Sequence, residues 1–541
     1  MKLSFWKLLF FLLPVLSLQA QDFPLTPFQS SDWVKPWKEA QNLSIHPFED
    51  KIDITNGKGV LYSLGSGSMT SKKKFSSFKL EFEFLQSQST DATLIIQNAL
   101  VISLGNGSGE QMGTIKSGLG DLKPSQNVSK ETGLWQKVEL VYNSHDTNSG
   151  LLERLVINGV TVSENYFLND AKAMESPLSI NLVKGTMAIR NMAYTTLKSK
   201  SPISVSNLKY KIEDSQNSNN SSALSGTSET MTFNVPHDFK RFVITYTGTL
   251  KVSEKDLYAF TVDYQGKGKF KIDGEEVAGS DNIVFRIPET KVIELEAGNH
   301  SFEYEYERVW WSPGFGLFVS GVDFKPYPLH DAKNLPVNKP VGGIYLHTDA
   351  AKAKTVRSFV NFDGKKRTKA ISVGTPQKRH YSLDLENGSL LYVWKGDFAD
   401  VTEMWYQRGE PQILQALGQS VKLSGKPSFF QKENDDFKLE EYFLDNKGIP
   451  TYLFSLNGSA VSQKLEPVKN GMEVSLSADK KDIKYLLAEA RTIEKLSDTL
   501  FRTDEYYIEL SSATAVKIEQ KGEVQRLIGS AQEIESYTLI W

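Results

Sequence analysis

The sequence predicts an all-β protein built from several domains. Apolar and charged residues alternate in 78–84 and again in 301–306, as expected of strands with one buried face. Short runs of β-branched and aromatic residues are separated by Gly, Asn and Asp turns. Helical periodicity is scarce, and 484–500 is the most ambiguous stretch. Many short strands with such turns are typical of β-sandwiches and jelly rolls.

Length, charge and cysteine content limit the possible functions. The chain has 541 residues and a formal net charge of −3. At roughly 150 residues per domain, this length suggests about three or four domains, each able to bury a core. The nearly balanced charge argues against a nucleic-acid partner. Cysteine is absent, which excludes disulfides, thiolate metal sites, covalent haem attachment and cysteine catalysis.

The N-terminus has the pattern of a secretory signal peptide. Lys2 and Lys7 give a positive start, 8–18 is apolar, and Ala20 is a small residue before Gln21. This apolar run is shorter than the roughly 20 residues of a membrane-spanning helix, although a retained anchor is the alternative. Because an exported protein without disulfides is typical of bacteria, we expect a periplasmic or secreted protein. With no cysteine to carry lipid, we expect that it is not a lipoprotein and that no transmembrane anchor remains after cleavage.

Two polar stretches divide the rest of the chain. The stretch 215–230 is rich in Ser and Asn, as flexible connectors are, and 325–340 is rich in proline. The domain prediction is a signal peptide (1–20), a jelly roll (21–200), a linker (201–230), a β-sandwich (231–330) and a C-terminal β-rich domain (331–541).

Compact metal and catalytic motifs are absent from the sequence. No two of the seven histidines have the i, i+2 or i, i+4 spacing of a metal site. A nucleophile elbow, a P-loop and a dinucleotide fingerprint are also missing. The stretch 146–150 is similar to the start of a calcium loop, but Ile157 stands where a carboxylate is needed. We therefore expect no metal and no evident cofactor.

Carboxylates and aromatic residues are the remaining candidates for a sugar site. Glu81 and Glu83 share one strand face, and glycosidases use two carboxylates roughly 5–10 Å apart. A solvated strand face is the alternative interpretation of this pair. Trp310 and Trp311 are adjacent in one loop, and indole faces stack on sugars, although filling the core is the alternative.

Four segments in order carry a family resemblance, namely 76–84, 131–140, 154–162 and 185–197. They contain a Gly-x-Trp, an Asn-Gly hairpin and an Arg-Asn pair, which are Gly133/Trp135, Asn158/Gly159 and Arg190/Asn191. With these features, 58–198 resembles the 3-keto-disaccharide hydrolase domain, a concanavalin-like jelly roll of exported bacterial proteins. The resemblance implies a carbohydrate or glycoside ligand, with Trp135, Arg190 and Asn191 as substrate-binding candidates alongside the two adjacent tryptophans.

Two departures from the family pattern concern catalysis. The stretch 99–106 lacks the carboxylates of the family's Glu-x-Gln-x-x-Asp strand, and 180–185 lacks the Asp and His of its Gln-Asp-His-Gly segment. Glu83 and Arg190 are left as weak catalytic candidates, and Arg190 suits a structural role equally well. Whether the chain is an enzyme therefore stays open. It is either a carbohydrate-binding protein that has lost its catalytic carboxylates or an active hydrolase or lyase of 3-keto-glycosides.

The two later regions have resemblances of their own. The stretches 256–277, 295–307 and 314–321 make 231–330 similar to the protective-antigen-type β-sandwich, which implies an accessory carbohydrate-binding module or a structural spacer. The region 331–541 resembles the β-rich C-terminal part of large exported bacterial proteins. It contains a cluster that suits either a sugar groove or a buried tryptophan beside an Asp–Arg pair, namely Trp394, Asp397, Asp400, Trp405 and Arg408.

The signal-peptide pattern gives a first testable prediction. Expressed in a bacterial host, the full chain should be cleaved between Ala20 and Gln21, because the small residue precedes a polar one after the apolar run. Intact-mass measurement of the periplasmic fraction should then give a protein that begins at Gln21. Full-length protein that retains Met1 in the membrane fraction would favour the anchor instead.

Overall fold

The computed structural model describes residues 23–105, 107, 110–117, 120–144, 149–168, 175–215, 223–233, 235, 239–285, 288–309, 313–335, 342–349, 351–406, 412–432 and 434–541. Their regular secondary structure is almost entirely β, which confirms the predicted fold class. The predicted signal peptide, Trp310, Trp311 and Arg408 lie outside the described residues. The chain forms two compact units, one containing Leu197–Lys339 and the other Thr26–Thr196 with Pro340–Trp541. The finer domain boundaries stay a prediction.

The N-terminal block of the larger unit is a sandwich of two antiparallel sheets. Its strands are β1 (Thr26–Pro27), β2 (Trp33–Val34), β3 (Lys38–Ile45), β4 (Ile52–Leu64), β5 (Gly67–Phe75), β6 (Phe78–Gln86), β7 (Asp91–Ile96), β8 (Leu100–Ser103), β9 (Ile115–Ser117), β10 (Gly120–Leu122), β11 (Gln136–Ser144), β12 (Gly150–Ile157), β13 (Val160–Leu168), β14 (Ser176–Lys184) and β15 (Thr186–Thr196). The eight-stranded sheet has the order β13-β12-β11-β6-β15-β4-β3, with β1 also on β15. The seven-stranded sheet has the order β10-β9-β8-β7-β14-β5-β2. A 3₁₀ helix (Ser30–Asp32) follows β1.

Alternation along β6 places this block's core between its two sheets. Leu80, Phe82 and Phe84 are at most 1% exposed and pack in one cluster with residues of the seven-stranded sheet, such as Leu94 and Ile180. The alternate residues of β6 are half-buried charged groups on the opposite face. Burying each such aromatic or leucine side chain contributes about 1.5–3 kcal/mol, so the core fixes which face of β6 points outward.

The smaller unit is built around one nine-stranded sheet with the path β17-β16-β18-β22-β19-β23-β24, to which β20 and β21 add by pairing with β19. Its strands are β16 (Ile203–Asp214), β17 (Leu224–Ser228), β18 (Phe242–Val252), β19 (Asp256–Ile272), β20 (Glu275–Phe285), β21 (Glu289–Leu295), β22 (Gly298–Arg308), β23 (Phe315–Gly321) and β24 (Phe324–Pro328). A second 3₁₀ helix (Ala332–Asn334) follows. Its core is strongly aromatic, with Tyr304 and Phe315 fully buried at its centre.

The C-terminal block of the larger unit contains four antiparallel sheets and one short α-helix (Thr402–Trp405). Its strands are β25 (Tyr345–Leu346), β26 (Lys354–Phe362), β27 (Lys365–Gly374), β28 (Arg379–Asp384), β29 (Ser389–Lys395), β30 (Ala399–Asp400), β31 (Gln415–Ala416), β32 (Gln419–Lys422), β33 (Phe429–Phe430), β34 (Phe437–Leu444), β35 (Pro450–Leu456), β36 (Ser459–Val468), β37 (Gly471–Ala478), β38 (Lys484–Ala490), β39 (Glu494–Lys495), β40 (Leu500–Arg502), β41 (Tyr507–Leu510), β42 (Val516–Lys521), β43 (Val524–Ser530) and β44 (Ser536–Ile540). The ambiguous stretch 484–500 is therefore strand and turn.

The two blocks of the larger unit contact each other directly. Leu134, in the loop before β11, packs against Leu500, Tyr507 and Ile540 of the C-terminal block. The Tyr507 hydroxyl donates a hydrogen bond of 2.8 Å to the main-chain carbonyl of Thr132. A small apolar cluster with its polar group satisfied therefore joins the sandwich to the C-terminal sheets.

An ion pair in the smaller unit ties the β19–β20 turn to β22. His300 Nδ1 lies 2.7 Å from Asp273 Oδ2, and His300 Nε2 lies 2.9 Å from the carbonyl of Glu296. The Asp273 carboxylate and the Glu296 carbonyl raise the pKa of His300, because both accept hydrogen bonds from the protonated ring. Burial opposes ionisation of Asp273, but its bonds from His300 and Ser301 outweigh this and lower its pKa.

This pair predicts a loss of stability at alkaline pH. The pKa of His300 is raised on folding, so its contribution is complete below its ordinary pKa of about 6.5 and is lost as the pH rises through the folded value. Urea unfolding should show that His300→Asn destabilises the protein more at pH 5.5 than at pH 8.5. NMR titration should place the pKa of His300 above 6.5 and show a lower pKa in Asp273→Asn. Equal destabilisation at both pH values would contradict this assignment.

Candidate functional site

The candidate site lies where β15 changes its neighbour on one side. β15 pairs with β4 as far as Arg190 opposite Val60, and with β1 from Ala193 opposite Pro27. Against β6, on its other side, the register shifts between Arg190 and Ala193, which marks a β-bulge. Asn191 lies in this bulge with φ of 51°, a left-handed conformation that Asn tolerates better than most residues. The bulge therefore re-aims side chains where the sheet changes partner.

A cleft of about 580 Å³ opens at this change of partner. Residues 28–31, 58–59 and 189–192 line it, together with Trp33, Glu39 and Leu61. Three chain segments that are distant in sequence thus converge on the bulge. The lining combines amide and hydroxyl groups with apolar side chains, and its volume lies within the roughly 300–1,000 Å³ of small-molecule sites.

The structure brings Trp135, Glu83, Arg190 and Asn191 together beside the cleft. Arg190 Nε donates a 2.6 Å hydrogen bond to Glu83 Oε2, and Asn191 Nδ2 donates to the same oxygen at 3.2 Å. The Arg190 guanidinium carbon lies 4.0 Å from the centre of the Trp135 ring, in cation–π geometry. The Arg190 and Glu83 side chains are 35% and 28% exposed. The guanidinium is thus held between a carboxylate and an indole face, yet it is accessible to solvent.

Much of the hydrogen-bonding capacity of Arg190 is unused. A guanidinium has five N–H donors, and only Nε donates to another group in the described part of the chain. The Nη groups of Arg190 therefore make no hydrogen bond to the other described residues, and Arg190 lines the cleft. The Glu83 bond and the Trp135 stack fix the direction of these donors.

The neighbouring carboxylate, Glu81, belongs to a different set of ion pairs. Glu81 lies 2.9 Å from Lys79 and 3.9 Å from Lys137, and Lys137 lies 2.6 Å from Glu139. Burial alone would lower the pKa of Lys137. The hydrogen bond to Glu139 and the negative charges of Glu139, Glu81 and Glu83 outweigh burial, so the pKa of Lys137 is raised. Glu81 and Glu83 thus form part of a charge ladder across β6, β11 and β15. Neither of them lines the cleft.

The other sequence-predicted residues lie elsewhere or outside the described ranges. Trp394 is fully buried, donates a 2.8 Å hydrogen bond to the Phe398 carbonyl and stacks parallel to the Phe398 ring. Asp397 pairs with Lys378 at 3.3 Å. The other described members of that cluster are Asp400, which accepts a hydrogen bond from the main-chain N–H of Thr402, and Trp405, which is 54% exposed. Trp394 is therefore a core residue.

Sequence reasoning missed the cleft residues that precede β5. Gln29, Ser30 and Ser31 lie in or beside a single 3₁₀ turn, and Lys58 lies within the long strand β4. No motif or periodicity identifies these positions, since only the pairing of β1 and β4 with β15 brings them together.

Among the described residues, no group of three or more His, Asp or Glu side chains is placed to hold a metal ion. The described helices also include none long and apolar enough to cross a membrane.

The conformation of Asn191 predicts the stability of two variants. Asn191→Gly keeps a residue that readily adopts positive φ, whereas Asn191→Ala places a Cβ-bearing residue there without the local compensation that asparagine has. Both variants lose the hydrogen bond to Glu83. Urea unfolding should therefore show Asn191→Ala to be less stable than Asn191→Gly by about 1 kcal/mol. Equal stabilities would mean that the bulge relaxes and that the amide contact dominates.

Comparison with known proteins gives only weak matches. No family model matches the sequence, and no curated protein matches it. Among solved structures, it is similar to a β-glucosidase from Kluyveromyces marxianus in complex with glucose, at 20% identity over 21% of this chain and 16% of that chain, with a TM-score of 0.18. A protein from Parabacteroides distasonis, provisionally named a glycosyl hydrolase, matches at 13% identity over 30% of this chain and 99% of that chain, with a TM-score of 0.20. An anti-sigma factor domain-containing protein from Clostridium clariflavum matches at 11% identity over 56% of this chain and 98% of that chain, with a TM-score of 0.21. At such TM-scores, these likenesses show no shared fold over the chain, and only the geometry of the site bears on function.

Proposed function

We propose that this protein binds carbohydrate in the cleft beside Arg190 and Asn191. The observation that carries the proposal is the Arg190 guanidinium at the cleft, which Glu83 and Trp135 hold in place while its Nη groups make no hydrogen bond to another described residue. In the same proposal the protein is exported to the periplasm or cell exterior. Its jelly roll is related to the 3-keto-disaccharide hydrolases and lacks their catalytic carboxylates.

The composition of the cleft supports a polyhydroxylated ligand. Sugars present hydroxyl groups at their edges and apolar C–H faces between them, so a matching site mixes polar groups with apolar surface. Gln29, Ser30 and Ser31 supply amide and hydroxyl groups, and Phe28 and Leu61 supply apolar surface. The fixed Arg190 adds charged donors, which make stronger hydrogen bonds than neutral ones.

Binding is favoured over hydrolysis by the placement of the carboxylates. Hydrolysis by the usual glycosidase route needs two carboxylates flanking the bond that is cleaved. Among the described residues that line the cleft, Glu39 is the one carboxylate. Glu83 accepts hydrogen bonds from Arg190 and Asn191 instead of facing the cleft alone. Turnover of 3-keto-glycosides remains the second candidate function because the family resemblance implies it.

A binding experiment with paired variants tests this proposal. Isothermal titration calorimetry of the mature chain with glucose, sucrose, trehalose, lactose and their 3-keto derivatives should detect binding of at least one sugar. Arg190→Gln should weaken that binding by about tenfold or more, because a charged hydrogen bond contributes about 1.5–3 kcal/mol. Glu81→Gln is the matched control, since it removes an ion-paired carboxylate from the same strand face outside the cleft. It should leave affinity within about twofold.

Three outcomes would count against carbohydrate binding as the function. The first is the absence of binding to every sugar of this panel. The second is an equal loss of affinity in both variants. The third is release of 3-keto-glucose from a 3-keto-disaccharide by the wild type but not by Glu83→Gln, which would replace the proposal with hydrolysis.

A further inference from the structure

A second pocket, of about 230 Å³, lies on one face of the five-stranded sheet in the C-terminal block. This sheet has the order β26-β27-β28-β29-β32. Residues of β26, β28, β29 and β32 line the pocket together with 413–416. None of these residues lines the cleft at Arg190, so the pocket is a separate feature from the proposed carbohydrate site.

The segment 413–416 is anchored to the sheet by main-chain contacts. The Leu414 N–H donates a 3.0 Å hydrogen bond to the carbonyl of Phe359 in β26, and Ile413 forms a parallel bridge with Phe359. Leu414 is buried and packs in one cluster with Trp394 of β29. The space between this segment and the sheet is therefore a built part of the fold.

A chain of three buried serine hydroxyls ends at the pocket. The hydroxyl oxygens of Ser358 and Ser372 are 2.8 Å apart, and those of Ser372 and Ser382 are 2.7 Å apart. All three serines are at most 3% exposed, and Ser382 lines the pocket. Ser382 makes no other side-chain hydrogen bond within the described part of the chain. Depending on the direction of the chain, its hydroxyl therefore keeps either a free proton or two free lone pairs.

The lining of the pocket is neutral. Its amide and serine side chains are Asn361, Gln415, Ser382 and Ser420, and no Lys, Arg, His, Asp or Glu is present among the described lining residues. An ionic ligand would lose hydration in this pocket without meeting an opposite charge, which is unfavourable. The lining therefore disfavours ions and suits a neutral polar molecule.

Two aromatic residues of β29 form one wall of the pocket. Tyr392 and Trp394 are separated by one residue, so their side chains lie on the same face of the strand. The Tyr392 hydroxyl donates a 3.1 Å hydrogen bond to the carbonyl of Asn361, which fixes its ring. Trp394 belongs to the core and closes the pocket, whereas Tyr392 is half-buried. Such a wall suits the apolar C–H face of a sugar whose hydroxyl groups bind the neighbouring polar side chains.

We propose that this pocket binds a neutral polyhydroxylated molecule of about the size of one monosaccharide. A sugar hydroxyl both donates and accepts hydrogen bonds, so it can satisfy Ser382 in either direction of the serine chain. The volume corresponds to roughly seven or eight water molecules at about 30 Å³ each, which limits the ligand to about one sugar ring. Recognition here uses neutral hydrogen bonds, in contrast to the guanidinium at the cleft.

Titration calorimetry of the mature chain with D-glucose, D-galactose, D-mannose and myo-inositol tests the proposal. At least one of these ligands should bind saturably, and sodium D-glucuronate should bind at least about tenfold more weakly, because its carboxylate meets no opposite charge. Ser382→Ala should weaken the binding by about threefold or more, since it removes a neutral hydrogen bond. Ser420→Phe should abolish it. Ser420 is exposed and lies opposite Trp394 in the sheet, so a phenyl ring there would occupy the pocket.

Ser462→Ala is the matched control for loss of a serine hydroxyl. The Ser462 hydroxyl lies 2.8 Å from that of Ser477, as the Ser382 hydroxyl lies beside that of Ser372, and Ser462 lines neither this pocket nor the cleft. This variant should leave the affinity within about twofold. Each titration is repeated in the Arg190→Gln background, in which binding at the cleft is weakened.

The outcomes distinguish this site from the cleft. Binding that persists in Arg190→Gln, and that Ser420→Phe abolishes, supports the pocket. Absence of binding by all four neutral ligands overturns it, as does binding that is kept in both Ser382→Ala and Ser420→Phe. Binding lost only in Arg190→Gln overturns the pocket while supporting the carbohydrate proposal for the cleft. Glucuronate binding as tight as that of the neutral ligands would overturn the neutral specificity. Circular dichroism checks folding, and if Ser382→Ala is unfolded, Ser420→Phe decides.

Discussion

The pairing of β6 with β15 is the interaction on which the candidate site depends. Arg190 lies opposite Glu83 in this antiparallel pair, and their side chains meet on the outer face of the sheet. Side chains alternate along a strand with period two, so a slip by one residue would bury Glu83 and expose Phe82 and Phe84. Each exposed phenylalanine would cost about 1.5–3 kcal/mol. The apolar core on one face therefore enforces the polar geometry on the other.

The bulge in β15 converts this regular face into a cleft. An uninterrupted strand would continue to pair with one neighbour, and its outer face would be a flat ladder of charged residues like that around Glu81. The register shift after Arg190 coincides with the change from β4 to β1. Asparagine suits the bulge twice, because it tolerates positive φ and its amide reaches Glu83. The bulge thus creates the opening of the cleft and also supplies Asn191, whose amide donates to the same Glu83 carboxylate that holds Arg190.

Much of this arrangement follows from the sequence, and the rest depends on long-range pairing. Alternation in 78–84 predicts both the strand and its faces, and the Arg190–Asn191 pair and Trp135 stand out by family resemblance. The residues 28–31 carry no such signal, since β1 is only two residues long and the turn after it has no periodic pattern. The strands within 484–500 were ambiguous because a buried run such as that of β38 lacks clear alternation. A hydrogen bond joins Gln126 to Asp397 across 271 positions, a contact that no local pattern encodes.

Charge balance at the candidate site bears on what the cleft can bind. Glu83 compensates Arg190, so in the proposed function a neutral polyol can bind without introducing an unpaired charge. The junction between the two blocks of the larger unit is balanced within the protein as well, because Gln126 donates to Asp397 and Asp397 pairs with Lys378. In a protein without disulfides, these polar contacts and the apolar cluster around Tyr507 hold the two β blocks together.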